Sequence, residues 1–382
     1  FKLRHNITMD GDLQLARMEL ESFLRDVSDV DTLGSDDFPN MTQYVRDGQQ
    51  GYSAQSDITL LPTLIRRLTF IQRIYVIVDD TPQVHDVLRE VSAVTTYRSE
   101  GDKLYIEAVP HYALFEYAEV IARKAKSVKT VQQQLSLLLD GLLGRRVDKS
   151  TQSVIGMVMA AQITTAPLSH GIHYYKAKFF PRMARSMLNI LSANRDLSSL
   201  SVLDPFVGSG TTLLEASQLG ISNTGVDIDP LSVLISQVKL GILHLDSDTL
   251  LSSIDLIQQA LSNKPNQLSL FTDNLKTEHP SIPKIIFPQW LMKNRKMTDA
   301  LAGELIAEMD RLRYAIADAP EPMRDVVRVV LSDAITRRIR FRFLGTGSGR
   351  FSLTLSKTPL QTLFLRSLDT QLHNLVAWEW LR

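Results

Sequence analysis

The chain of 382 residues contains no cysteine. Disulfides, thiolate metal sites and cysteine nucleophiles are therefore excluded, and no metal site is expected. No run of 18 or more apolar residues occurs, so no membrane span is expected. No signal-peptide pattern is visible, and the expectation is a cytoplasmic protein. Neither sign of charge is in excess, with 42 Lys and Arg against 42 Asp and Glu. That excludes a uniformly basic nucleic-acid binder. It leaves room for a local basic groove, because net charge averages over the surface. Among the 15 prolines no two are adjacent, a lack that returns below. What is present is an ordinary apolar fraction of 44%, enough for normal cores in two or three domains.

The N-terminal part alternates strand and helix patterns. "FKLRHNIT" at 1–8 reads as a strand. Residues 12–27 carry apolar side chains at helical spacing, among them Leu13, Ala16, Leu20 and Phe23. "RIYVIVDD" (73–80) and "KLYIEAV" (103–109) are strands rich in β-branched residues, with helices expected near 57–71, 83–92 and 112–125. This predicts an α+β domain over 1–126, followed by a helical linker over 127–168.

From residue 169 the character changes. "LSVLDPF" is a short apolar strand ending on an acid, "VGSGTTLLEASQLG" a glycine turn entering a helix, and "ISNTGVDID" a second strand ending on acids. "PLSVLISQVKLGIL" is the next helix, with Pro230 at its start. Strand, turn, helix, strand, helix is a βαβα unit, which implies a doubly wound parallel sheet. Gly208 and Gly210 permit turn conformations and a close backbone approach to a ligand. The helix that follows offers free N–H groups and a positive dipole end to an anion. Asp227 stands at the spacing from Gly208 at which dinucleotide folds place an acid on ribose hydroxyls. NAD, FAD and S-adenosylmethionine all fit such a unit. The pattern is neither a Walker loop nor GxGxxG.

"DPFVGSGTT" (204–212) resembles the cofactor motif of the amino-group DNA methyltransferases, which modify cytosine N4 or adenine N6. "HGIHYYKAKFFPRM" (170–183) resembles the segment that precedes this motif in part of that family and closes over the methionine end of the cofactor. The resemblance covers about 169–345. It implies a Rossmann-type S-adenosylmethionine-dependent methyltransferase domain, with its cofactor-binding half over 169–284 and a helical insertion with a basic glycine-rich loop over 285–382. Asp204, Phe206, Gly208 and Gly210 would line the methionine end, with Thr211 and Thr212 near its carboxylate. Asp227 would hold the ribose, and Ile228 would pack beside the adenine. Lys178, Phe179 and Pro181 would close the pocket. The alternative for His170, His173 and Lys178 is an ordinary surface loop. The N-terminal stretch, "FKLRHNITMDGDLQLARMELESFL" with "LIRRLTFIQRIYVIV", is similar to the opening of THUMP-containing tRNA guanine-N2 methyltransferases, whose domain there is ferredoxin-like. DNA is the favoured partner, and tRNA the alternative.

The basic stretch "RRIRFRFLGTGSGRFSL" sets Arg337, Arg338, Arg340, Arg342 and Arg350 around glycines and phenylalanines. Arginines on such a loop suit phosphate contacts and the phenylalanines suit stacking on bases. Alternating Arg and Phe also describes a half-buried strand. Helices are expected at 298–317, at 321–338 and from about 359 to 380.

The resemblance also implies something this sequence lacks. The family selects its target amine with Asp, Asn or Ser, then Pro-Pro, then an aromatic. Side-chain and backbone oxygens accept the amine's hydrogen bonds, and the aromatic stacks on the flipped base. No Pro-Pro is present, and no convincing parallel strand follows Asp227, so no catalytic residue can be named. The sheet is therefore expected to be incomplete. Three arrangements satisfy this: the chain stops before the catalytic strand, a second subunit supplies it, or the protein binds cofactor without catalysis. The long final helix and the missing initiator methionine point to the first two.

Overall fold

The computed structural model describes all residues except 5, 6, 8, 34–48, 162–166, 177, 263–283, 295, 318, 322 and 344–350. The chain folds as a mixed α/β protein. Its N-terminal part is built on a six-stranded sheet: β1 (Lys2–Leu3), β2 (Arg25–Leu33), β3 (Gln49–Gln55), β4 (Ile71–Asp79), β5 (Thr95–Glu100) and β6 (Lys103–Ala108). The order is β2-β3-β1-β4-β6-β5, and every pair is antiparallel. β4 lies at its centre because its Ile71 and Ile74 can be fully buried. Three helices punctuate the strands: α1 (Asp10–Phe23), α2 (Leu61–Arg67) and α3 (Pro82–Glu90).

Here the structure differs from the sequence reading in identifiable ways. The first strand spans two residues, not eight. The first helix ends at Phe23, and the residues after it enter β2. β2, β3 and β5 are too polar to announce themselves. β2 and β5 are edge strands, with one side open to water, where apolar alternation is not required.

After β6 come α4 (His111–Lys124), α5 (Val128–Leu142) and α6 (Lys149–Ala160). α4 buries side chains on almost every side, from Tyr112 to Ala122. It can do so because α2, α5 and the final helix α14 (Leu360–Leu381) all pack on it. One continuous cluster of buried apolar side chains runs from Leu3 to Ala377. The N-terminal sheet and the C-terminal helices thus share a core.

The central unit is α7 (Pro181–Ser192), β7 (Ser201–Asp204), α8 (Thr211–Gln218), β8 (Ser222–Gly225) and α9 (Pro230–Gly241). β7 and β8 pair in parallel, from Ser201 opposite Ser222 to Asp204 opposite Gly225. Gly225 is required by this packing. A Cβ there would lie 2.6 Å from Val207 Cγ2 and 2.7 Å from Leu213 Cδ1.

α7 joins the central unit to the N-terminal sheet through buried polar groups. Asn189 Nδ2 donates to Glu19 Oε1 at 2.7 Å, and Arg67 Nε donates to Asn189 Oδ1 at 3.1 Å. Arg182 Nη2 donates to Glu116 Oε1 at 2.9 Å, and Arg4 pairs with the same carboxylate. Charges so deep in a protein are tolerable only when paired in this way.

The remaining described helices are α10 (Ser247–Ser262), α11 (Gln289–Met292), α12 (Asp299–Ile316), α13 (Met323–Arg338) and α14. The basic stretch forms an antiparallel ribbon of β9 (Ile339–Phe343) and β10 (Phe351–Leu355). Among the described residues no helix is long and apolar enough to cross a membrane.

Candidate functional site

The site is the turn between β7 and α8. Asp204 ends the strand, and its Oδ1 accepts the Phe206 N–H at 3.1 Å, which starts the turn. Val207 N–H donates to Val226 O at 2.9 Å, and Gly210 N–H closes the turn on Val207 O at 2.8 Å. Gly208 (φ +49°) and Gly210 (φ +72°) both occupy the left-handed region, which disfavours any residue with a Cβ. Gly210 has a second constraint: a Cβ would meet Ser236 Cβ at 2.9 Å. Of the two glycines singled out in the sequence, Gly208 is needed for its torsion and Gly210 for both reasons.

Asp227 sits beyond β8 and faces this turn. Its Oδ2 accepts the Gly208 N–H at 2.8 Å and its Oδ1 the Asp229 N–H at 2.9 Å. These amides, that of Asp229 first, hold its carboxyl below the usual range. It is an anion at neutral pH, and each oxygen keeps a lone pair for a further donor. Around it, Phe206 is 87% and Ile228 100% exposed. Thr211, at the start of α8, is buried, and its Oγ1 has no hydrogen-bond partner among the described residues. An anchored carboxylate, two bare apolar side chains and an orphaned hydroxyl at a helix N-terminus therefore surround one turn. Such a set can take a ligand with hydroxyls, an apolar face and an anionic end.

The upstream segment packs behind the turn, with His170 and His173 buried and Lys178 half-buried. His170 is fully buried, and its Nε2 lies 2.7 Å from Glu215 Oε1. Arg185 Nη1 lies 3.6 Å from Glu215 Oε2. Burial holds His170 well below its ordinary pKa and raises Glu215 from 4.5 to about 7. His173 Nε2 is 3.1 Å from Ser332 Oγ, and Tyr174 N–H donates to Asp333 Oδ1 at 2.8 Å, so α13 holds this segment from the other side. Lys178 Nζ donates to the His170 carbonyl, and burial lowers its pKa to about 8. Phe179 is 42% exposed, while Pro181 is buried at the first turn of α7.

Sequence reasoning missed four residues here. Tyr175 borders Gly208, and its hydroxyl is 2.9 Å from Ser232 Oγ. Ser236 Oγ lies 3.0 Å from Gly208 O and 2.9 Å from Ser232 O, and Lys239 Nζ donates to Ser209 O. A lysine inside the apolar run "VKLGIL" was the one available signal.

The basic residues separate into different environments. Arg337 Nε pairs with Asp333 Oδ2 at 2.6 Å. Arg338 is 7% exposed, with Nε bonded to Glu308 Oε2 at 2.9 Å and Nη1 to Ser356 O. Arg340 is exposed, and Arg342 stands opposite Ser352 in the ribbon. Phe341 packs edge-on to Trp290, ring centroids 5.6 Å apart. Arg350 lies outside the described residues.

Residues 115–237, from α4 through most of α9, match the family described as DNA methylase. A stretch of 71 residues is 44% identical to the type II methyltransferase M.MjaII of Methanocaldococcus jannaschii, covering 19% of this chain and 13% of that one. A stretch of 115 residues is 30% identical to the type II methyltransferase M.BsoBI of Geobacillus stearothermophilus, covering 30% and 20%. A shorter stretch of 48 residues is 44% identical to the tRNA (guanine(10)-N2)-dimethyltransferase of Pyrococcus abyssi, covering 13% of each. The matched stretches span a fifth or less of these relatives' lengths. No solved structure matches. The resemblance to the amino-group DNA methyltransferases is borne out by the family match and the type II enzymes.

Proposed function

With a DNA methylase segment at residues 115–237 as the premise, we propose that the turn at 204–212 binds S-adenosylmethionine. We further propose that the protein is an N-methyltransferase acting on an exocyclic amine of a DNA base, cytosine N4 or adenine N6. The β7-α8-β8-α9 unit is read as part of a Rossmann-type sheet. The observation that carries the proposal is the Asp227 carboxylate, held beside the glycine turn by the Gly208 and Asp229 amides.

The residues present fit the cofactor. The Asp227 carboxylate accepts ribose hydroxyls. Ile228 and Phe206 offer apolar surface to the adenine and the methionine end. The free amides at the start of α8 and the orphaned Thr211 hydroxyl suit the carboxylate. When bound, the cofactor supplies a methyl group on a positively charged sulfur. Lys178, Phe179 and Pro181 belong to the segment that closes this site. Arg340 and Arg342 are the candidates for phosphate contact, since Arg338 is committed inside the protein and Arg337 pairs with Asp333.

No Pro-Pro motif to hold the target amine occurs in these 382 residues. We propose that a second subunit supplies it on a strand, with cofactor binding without catalysis as the alternative. Among the described residues β7 pairs with β8 alone, and its Leu203 is 66% exposed, so that strand has an edge to join. The second reading, tRNA guanine-N2 methylation, is favoured by the match to the Pyrococcus abyssi enzyme.

Two measurements test the proposal. The melting temperature should rise with S-adenosylmethionine or S-adenosylhomocysteine and not with NAD. Incubation with labelled cofactor, duplex DNA and total tRNA, alone and with any co-purifying subunit, should end in N4-methylcytosine or N6-methyladenine in DNA. N2-methylguanosine in tRNA would select the second reading.

A further inference from the structure

We infer that Ser236 and Lys239 are positioning residues for the amino-acid end of the cofactor, acting by tying down the carbonyls of the glycine turn. This rests on the reading that the turn binds S-adenosylmethionine. Ser232, Ser236 and Lys239 lie at i, i+4 and i+7 of α9, on one face of the helix. Ser236 Oγ is 3.0 Å from Gly208 O and 2.9 Å from Ser232 O, so its one proton is shared between the two carbonyls, and Lys239 Nζ donates to Ser209 O. Two successive carbonyls of the turn are thus drawn toward α9.

Peptide planarity converts this into a direction for the amides. In a trans peptide the C=O and the next N–H point opposite ways. With Gly208 C=O held against α9, the Ser209 N–H points to the far side of the turn, as does the Gly210 N–H, which closes on Val207 O. The Ser209 amide and the first amides of α8 are then presented without rearrangement, where a carboxylate can meet them.

The placement of Lys239 supports a functional role. Its side chain is 1% exposed, and no carboxylate lies within ion-pair distance of it among the described residues. Burying an amine with a carbonyl as its acceptor is costly, and a leucine or methionine would pack there more cheaply. The same helix face also holds the upstream segment. Ser169 Oγ donates to Lys239 O at 2.7 Å, and Tyr175 OH is 2.9 Å from Ser232 Oγ. One column of α9 therefore sets both walls of the site.

The test compares two ligands by calorimetry on the full chain. S-adenosylhomocysteine carries the amino-acid end, and methylthioadenosine has the nucleoside without it. Ser236→Ala and Lys239→Met should each weaken S-adenosylhomocysteine binding about tenfold, the size of one lost hydrogen bond, while methylthioadenosine affinity stays within about twofold. The preference for the amino-acid end then collapses. Ser236→Ala is the milder change and decides the matter if Lys239→Met does not fold. Equal losses for both ligands, or no loss for either, would overturn the inference. If the native chain binds neither ligand, the cofactor reading fails and the inference fails with it.

Discussion

Glu215 Oε1 lies 2.7 Å from His170 Nε2, and this contact ties the helix behind the glycine turn to the segment upstream of it. Both groups are buried, and burial favours their neutral forms. With the carboxyl protonated, its O–H donates to Nε2. With the carboxyl ionised, Nε2–H donates to it.

That pair makes stability depend on pH. The folded-state pKa of Glu215 is raised from 4.5 to about 7, so the native state binds this proton more tightly than the unfolded chain. The stabilising contribution is complete below about 4.5 and is lost as pH rises to about 7, by at most about 3 kcal/mol. His170 acts oppositely: its lowered pKa costs stability as pH falls below 6.5. Glu215→Gln removes the first effect. Its melting temperature relative to the native chain should rise between pH 5 and pH 8, and a constant difference would mean that the carboxyl stays ionised throughout.

Asp227→Ala should weaken both S-adenosylhomocysteine and methylthioadenosine by about tenfold or more, because charge-assisted hydrogen bonds to the ribose are shared by the two ligands. This separates it from the α9 variants, which should affect one ligand only. Calorimetry with both ligands reads the difference.

Gly210→Ala and Gly225→Ala should each destabilise the chain, by about 1–3 kcal/mol. The first forces a Cβ into the left-handed region against Ser236, and the second drives one into Val207 and Leu213. Urea denaturation should show a lowered midpoint with unchanged slope. An unshifted midpoint for Gly225→Ala would mean that Val207 moves aside freely.

Arg340→Ala should weaken DNA binding across all sequences and flatten its salt dependence by about one phosphate contact, with stability unchanged. Arg338→Ala should do the reverse. It leaves Glu308 and the Ser356 carbonyl unpaired and should cost stability, by roughly 1–3 kcal/mol. Fluorescence titration of labelled duplex at several salt concentrations, with melting curves alongside, distinguishes them.

The glycine turn, the acid that faces it and the helices on each side were legible in the sequence. The reason is that their constraints are local. Gly208 and Gly210 answer to backbone torsion, Pro230 to a helix start, and the spacing to Asp227 to one βα crossover. The polar strands β2, β3 and β5 were not legible, because β2 and β5 are edge strands and β3 pairs with one, and such strands need no apolar pattern of their own. Nor could spacing separate Arg338 from Arg340. Tertiary packing alone turned one arginine inward to Glu308 and left the other in water. It also decided that His170 and His173 are buried, that α14 closes over α4, and that Ser236 and Lys239 reach the glycine turn. These contacts join residues tens to hundreds of positions apart, and no local propensity encodes which distant partner a buried polar group will find.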